Sequence, residues 1–186
     1  MMRSRPTKLP GVLAISFPVH ADDRGRFSRL WCADSFREAG LDFAPIQASL
    51  STNIARHTLR GLHWQAAPGA EAKLVRCLRG RMLDIAVDLR RGSETFGDHA
   101  AVELSPGNAE ALFIPRGFAH GFLTLEPDTE ILYLIDAPHD PALSRGMAWD
   151  DPDLALPWPA PPAVLSDRDA ALPRLRDVLA DGDVPC

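Results

Sequence analysis

The strongest constraint on the fold is a strict alternation in residues 81–90. Leu83, Ile85, Val87 and Leu89 fall on one face of an extended chain, and Met82, Asp84, Ala86 and Asp88 on the other. Period-two patterning suits a β-strand, whose successive side chains point to opposite sides, and no helix satisfies it. The segment reads as a half-buried strand. Shorter runs at 12–17, 73–78, 101–104, 111–114, 121–125 and 130–135 read as further strands. Turn signals separate them: Arg79-Gly80, Arg91-Gly92-Ser93, Ser105-Pro106-Gly107-Asn108, Pro115-Arg116-Gly117 and Glu126-Pro127-Asp128.

Helical periodicity is confined to residues 33–39, followed by a Gly40 stop, and to a tail near 166–180. Seven of the 17 prolines lie in residues 151–186, which makes that stretch a loop-rich wrap. The chain of 186 residues, 46% hydrophobic, corresponds to one domain at about 150 residues per domain. The expected division is a core over about residues 8–160 and a C-terminal wrap over about 161–186. Short, evenly spaced strands predict an all-β fold, a cupin or double-stranded β-helix jelly roll with a short helix near the N-terminus.

Several function classes fall away. No apolar run approaches the roughly 20 residues of a membrane span. The net charge is −5 and the 20 Lys and Arg form no block, which argues against nucleic-acid binding. Cys32, Cys77 and Cys186 are an odd count, far apart and without a C-x-x-C pair, pointing to a reducing, cytoplasmic setting with no disulfide or zinc framework. Arg3, Arg5 and Lys8 precede an apolar run at 11–17, but Pro10, Ser16 and Pro18 interrupt it, so a strand fits better than a secretion signal.

Two of the six histidines stand among apolar and glycine residues: His63 in Leu59-Arg60-Gly61-Leu62-His63-Trp64-Gln65, and His120 in Gly117-Phe118-Ala119-His120-Gly121-Phe122. His20, His57 and His99 read as solvent-facing, and His139 sits in a turn between prolines. A mononuclear metal site would need about three protein ligands. Gln65 stands where a second strand ligand would fall, and the Pro115–His120 stretch supplies one ligand, so no metal is expected. What remains is acid–base chemistry. A histidine removes a proton from carbon beside a carbonyl when a carboxylate orients it and a cation steadies the enolate. His63 is the candidate base, with Lys73 and Arg60 as nearby cations; an ordinary core histidine and a strand-edge lysine are the competing readings.

The motifs then accumulate in order: Asp23-Arg24-Gly25-Arg26-Phe27, Gln47-x-Ser49-x-Ser51-x-Asn53, the Leu59–Gln65 stretch, and Glu71-Ala72-Lys73-Leu74-Val75-Arg76. Ser93-x-Thr95-Phe96-Gly97, the Ile114–Phe122 stretch, Trp149-Asp150-Asp151-Pro152, Trp158-Pro159 and Leu165-Ser166-x-x-Asp169 follow. The set, over residues 8–175, resembles the dTDP-4-dehydrorhamnose 3,5-epimerase family. The resemblance implies His63 as base, Asp169 as its partner, Lys73 as enolate stabiliser and Tyr133, the single tyrosine, as proton donor. It implies a substrate pocket drawn from Arg24, Phe27, Gln47, Ser49, Arg60, Gln65, His120, His139 and Arg168. It also implies a dTDP-4-keto-6-deoxyhexose substrate, no cofactor and a homodimer sharing strands.

The chain departs from the family pattern at Arg29, Ser49, His139 and Ser144 or Arg145, around the sugar and nucleotide. A C3-only or C5-only epimerase therefore stays open beside double epimerisation, as does a nonenzymatic sugar-nucleotide-binding cupin. Ser166-x-x-Asp169 doubles as a capping box. Asp84 and Asp88 are expected to satisfy backbone or arginine partners, and Trp149 and Trp158 to pack the tail.

Overall fold

A computed structural model describes residues 1–181; Cys186 and the end of the expected wrap, 182–186, lie outside the described residues. In chain order the first half comprises β1 (Arg3–Pro6), β2 (Leu13–Ser16), β3 (Val19–Asp22), β4 (Gly25–Ser28), α1 (Ala33–Glu38), β5 (Gln47–Asn53), β6 (Leu59–Gln65) and β7 (Lys73–Arg79). The second half adds β8 (Met82–Asp88), β9 (His99–Leu104), β10 (Glu110–Ile114), β11 (Phe118–Thr124), β12 (Thr129–Ile135), β13 (Ser144–Gly146), α2 (Asp167–Ala170) and α3 (Leu175–Asp181). Among the described residues no helix is long and apolar enough to cross a membrane.

Two antiparallel sheets form the body. One has the order β1-β2-β10-β7-β12-β5 and the other β13-β6-β11-β8-β9, while β3 and β4 form a separate hairpin. Register decides which residues look inward. Ser49, Tyr133 and Val75 face one another across β5, β12 and β7, so they share the inner face of the first sheet. His63, His120 and Ala86 do the same across β6, β11 and β8 in the second. Between the sheets lies a core that includes Val75, Met82, Ala86, Leu112, Phe118, Phe122 and Ile131.

The outer faces are covered differently. Leu62, Ile85, Val87 and Leu89 on the second sheet pack against Leu154, Leu175 and Val178 of the C-terminal wrap. That covering corrects the half-buried reading of 81–90: apart from the half-exposed Leu83, every residue of β8 is buried. Apolar residues on one face found the wrap, and Met82, Ala86 and the two aspartates on the other found the interior. On the first sheet, Phe36 of α1 and Phe43 pack against Phe113, Leu74 and Ile15.

Other expectations are adjusted at their edges. Ahead of residue 8, β1 pairs with β2, with all four of its residues exposed. The tail helix is two helices, interrupted at Pro173, whose ring cannot donate a helical hydrogen bond. His57 and His99 are half-buried rather than solvent-facing, while His20 is exposed. Asp151 is buried and accepts from the Leu175 and Asp153 N–H groups, tying the wrap to α3.

Candidate active site

A cavity of about 380 Å³ opens between the sheets. Ser49, Lys73, Tyr133 and Ile135 line it from the first sheet, and Arg60, His63, His120 and Phe122 from the second. Ser166, Arg168 and Asp169 close it from the tail. Of the expected site residues, this brings together all four catalytic candidates together with Ser49, Arg60, His120 and Arg168.

The close approach of β6 and β11 sets this geometry. Gly61 has φ +117°, and a Cβ there would stand 2.7 Å from both Gly121 Cα and His120 O. Only glycine fits such an approach. The Gly61 N–H donates to Asp169 Oδ2 at 3.1 Å, and Asp169 Oδ1 lies 2.8 Å from His63 Nε2. The carboxylate is thereby shared between a backbone amide and the imidazole. Burial pushes the Asp169 carboxyl up, but the hydrogen bonds from His63 and Gly61 and the Arg168 charge outweigh it, holding it below the usual range. The expected cap is present as well: Ser166 Oγ accepts from the Asp169 N–H at 3.1 Å. Ser166 thus caps the helix, while the Asp169 carboxylate is turned to His63 and Gly61.

Across the cavity, Tyr133 is half-buried among His120 and Phe122, its ring edge-on to His120 at 6.0 Å. Burial pushes its phenol well above the ordinary value; the Asp84 charge adds to this and Arg60 opposes it. His120 Nε2 lies 2.6 Å from Asp84 Oδ1, with both side chains buried. The expected arginine or backbone partner of Asp84 is therefore a histidine. Asp88 does take an arginine, Arg90, and adds Ser93 and Thr95. Arg60 Nε donates to the buried Asn53 Oδ1 at 2.9 Å, and Lys73 Nζ lies 2.9 Å from Glu71. Among the described residues, no three His, Cys, Asp or Glu side chains converge as metal ligands would.

Five expected pocket residues stand outside the cavity lining. Gln65 is fully engaged by backbone: its amide donates to Gly69 O and Pro138 O and accepts from the Asp140 N–H. Gln47 shares the inward row of Lys73 and Ile135, yet its amide donates to Ala137 O. The two glutamines grip the turn that carries the exposed His139. Arg24 and Phe27 sit on the β3–β4 hairpin, exposed and away from this cavity. Phe122, Ile135 and Ser166 line the cavity without having been expected in the pocket; for Phe122 and Ile135 the inward register of β11 and β12 was the available signal.

The family model for dTDP-4-dehydrorhamnose 3,5-epimerase matches residues 6–177. The dTDP-4-dehydrorhamnose 3,5-epimerase of Sinorhizobium fredii is 44% identical over 155 residues, spanning 83% of this chain and 80% of that protein. This chain belongs to the dTDP-4-dehydrorhamnose 3,5-epimerase family.

Solved structures extend the epimerase likeness over the whole fold. The dTDP-6-deoxy-D-glucose-3,5-epimerase of Legionella pneumophila, in complex with dTDP-4-keto-L-rhamnose, is 33% identical with TM-score 0.94, covering 100% of this chain and 98% of that one. A 3'-monoepimerase from Streptomyces bikiniensis, in complex with dTDP-quinovose, is 34% identical with TM-score 0.90, covering 97% and 91%. The all-β cupin expectation holds, and the likeness reaches both a double and a single epimerase.

Proposed function

We propose that this epimerase inverts the carbons beside the keto group of a dTDP-4-keto-6-deoxyhexose, at C3 and C5, through an enolate. The observation that carries the reading is the origin of the two proton-handling groups. His63 stands on the second sheet and Tyr133 on the first, lining one cavity from opposite walls. Inversion needs removal of a proton from one face of a carbon and delivery to the other. With Asp169 accepting from His63 Nε2–H, the other ring nitrogen carries the lone pair that takes the proton. Lys73 stabilises the enolate oxygen, and the still-protonated Tyr133 phenol supplies the new proton. Arg60 and Arg168 meet the diphosphate, which suits the planar fork of a guanidinium.

Incubation with dTDP-4-keto-6-deoxyglucose in deuterium oxide, followed by NMR, tests this. Deuterium with inverted configuration is expected at both C3 and C5; no incorporation at either carbon overturns the reading. Incorporation at C3 or C5 alone would select the single-centre alternative. That alternative draws support from Ser49 in the cavity wall and from the likeness to a 3'-monoepimerase.

The enzyme works as a homodimer in this reading. The hairpin leaves Phe27 74% exposed and Arg24 exposed in an ion pair with Asp22, and neither strand joins either of the two main sheets. The edge strand β5 and its flanks expose Ile46, Leu50 and Ile54. Uncovered edges of this kind invite a second chain. A two-fold partner lets each hairpin reach the other copy's cavity, bringing Arg24 and Phe27 to a nucleotide there. The cytoplasmic setting read from the cysteines accords with a sugar-nucleotide substrate.

A further inference from the structure

Glu71 has no part in the reading above, yet it contacts Lys73, which lines the cavity from the first sheet. Its Oε1 lies 2.9 Å from Lys73 Nζ, with the two side chains 10% and 11% exposed. The backbone that delivers it is clamped on both sides. Arg116 Nε donates to Ala70 O at 3.3 Å, and the Ala72 N–H donates to Asp136 Oδ1 at 2.7 Å. Arg116 and the buried Asp136 carboxylate pair in turn at 2.6 Å. Glu71 therefore sits on a fixed span between two anchored residues rather than on a free loop.

A lysine ammonium is a compact point charge with three donors on a flexible stem. Left without an anchor, its head would wander among the acceptors within reach. We propose that Glu71 is a positioning residue for Lys73: its oxygen occupies one donor and holds the ammonium at the cavity wall, leaving the others for the substrate. This rests on the reading of Lys73 as the enolate-stabilising cation. A full negative charge 2.9 Å from the ammonium also weakens the attraction of that ammonium for a developing oxyanion. The reaction thus uses the Glu71 oxygen as an anchor, while its charge works against the rate. Oxygen and charge are separable by substitution, because glutamine keeps the first and removes the second.

The test is kcat and KM for E71A, E71Q, K73M and the double variant E71A/K73M, with thermal unfolding of each as a check on folding. E71A is expected to lower kcat about 10-fold while KM stays within about twofold, the signature of a misplaced transition-state contact. E71Q is expected to keep kcat within about threefold of the parent enzyme or above it, and E71A is expected to add nothing in the K73M background. A fully active E71A overturns the proposal. So does an E71Q that loses about 10-fold, and this isosteric variant decides alone if E71A does not fold. A fully active K73M would instead remove the reading of Lys73 on which the proposal stands.

Discussion

At the scale of single residues, the surroundings of a few side chains set their chemistry. Asp169 orients His63, so Asp169→Asn leaves the imidazole without an anionic partner and is expected to lower kcat by about 10²–10⁴-fold in steady-state assays. A near-normal rate would contradict the dyad. Tyr133, the single tyrosine, offers an optical reading of its own. Its folded phenol is held above the unfolded value near 10, mainly by burial and further by Asp84. The folded state then keeps its proton where the unfolded chain has lost it, so stability falls as pH rises past about 10. Tyrosinate absorbance is expected only together with unfolding, and Tyr133→Phe should flatten the alkaline loss of stability. That His63, Lys73, Tyr133 and Asp169 would share one cavity was legible through the family resemblance. The partner of Asp84 was not, because His120 lies 36 residues away and only the pairing of β8 with β11 brings them together.

At the scale of elements, alternation revealed the strands that carry it and little about those that do not. β8 was plain, but its second buried face depended on a wrap some 70 residues later in the chain, which no local pattern encodes. β3 and β4 are exposed throughout, so they lack the apolar face that marks a strand. The turn after β8 is a further case. Asp88 is fully buried and bonded by Arg90, Ser93 and Thr95, and Arg90 stacks over Phe118 at 4.5 Å. Burial pushes the Asp88 carboxyl up, but these hydrogen bonds prevail and hold it far below the ordinary range. Asp88→Asn is expected to cost about 2–4 kcal/mol of unfolding free energy, measured in denaturant at neutral pH. A depressed folded value means this stability is present above about pH 4 and lost as pH falls further. The difference between Asp88→Asn and the parent chain should therefore shrink on acidification; a constant difference would contradict the assignment.

At the scale of the whole molecule, one chain brings the catalytic candidates together but leaves Arg24 and Phe27 outside. The motif that carries them was legible; their distance from the cavity was not, because sequence order carries no information about which copy a hairpin serves. If two copies exchange hairpins, Arg24→Ala and His63→Ala damage different halves of each composite site. Mixing the two inactive variants under exchange conditions should restore activity, since a mixed dimer contains one intact site. Light scattering should report twice the chain mass. A monomer with full activity would contradict the shared site.

The claim that protons leave and arrive from opposite walls is tested most directly by solvent deuterium in Tyr133→Phe. With dTDP-4-keto-6-deoxyglucose in deuterium oxide, the parent enzyme should give deuterium with inversion. Tyr133→Phe keeps His63 as base and loses the opposing donor, so deuterium should still enter while configuration is retained. Inversion by Tyr133→Phe at the parent rate, or inversion by the parent enzyme without deuterium uptake, would contradict the account.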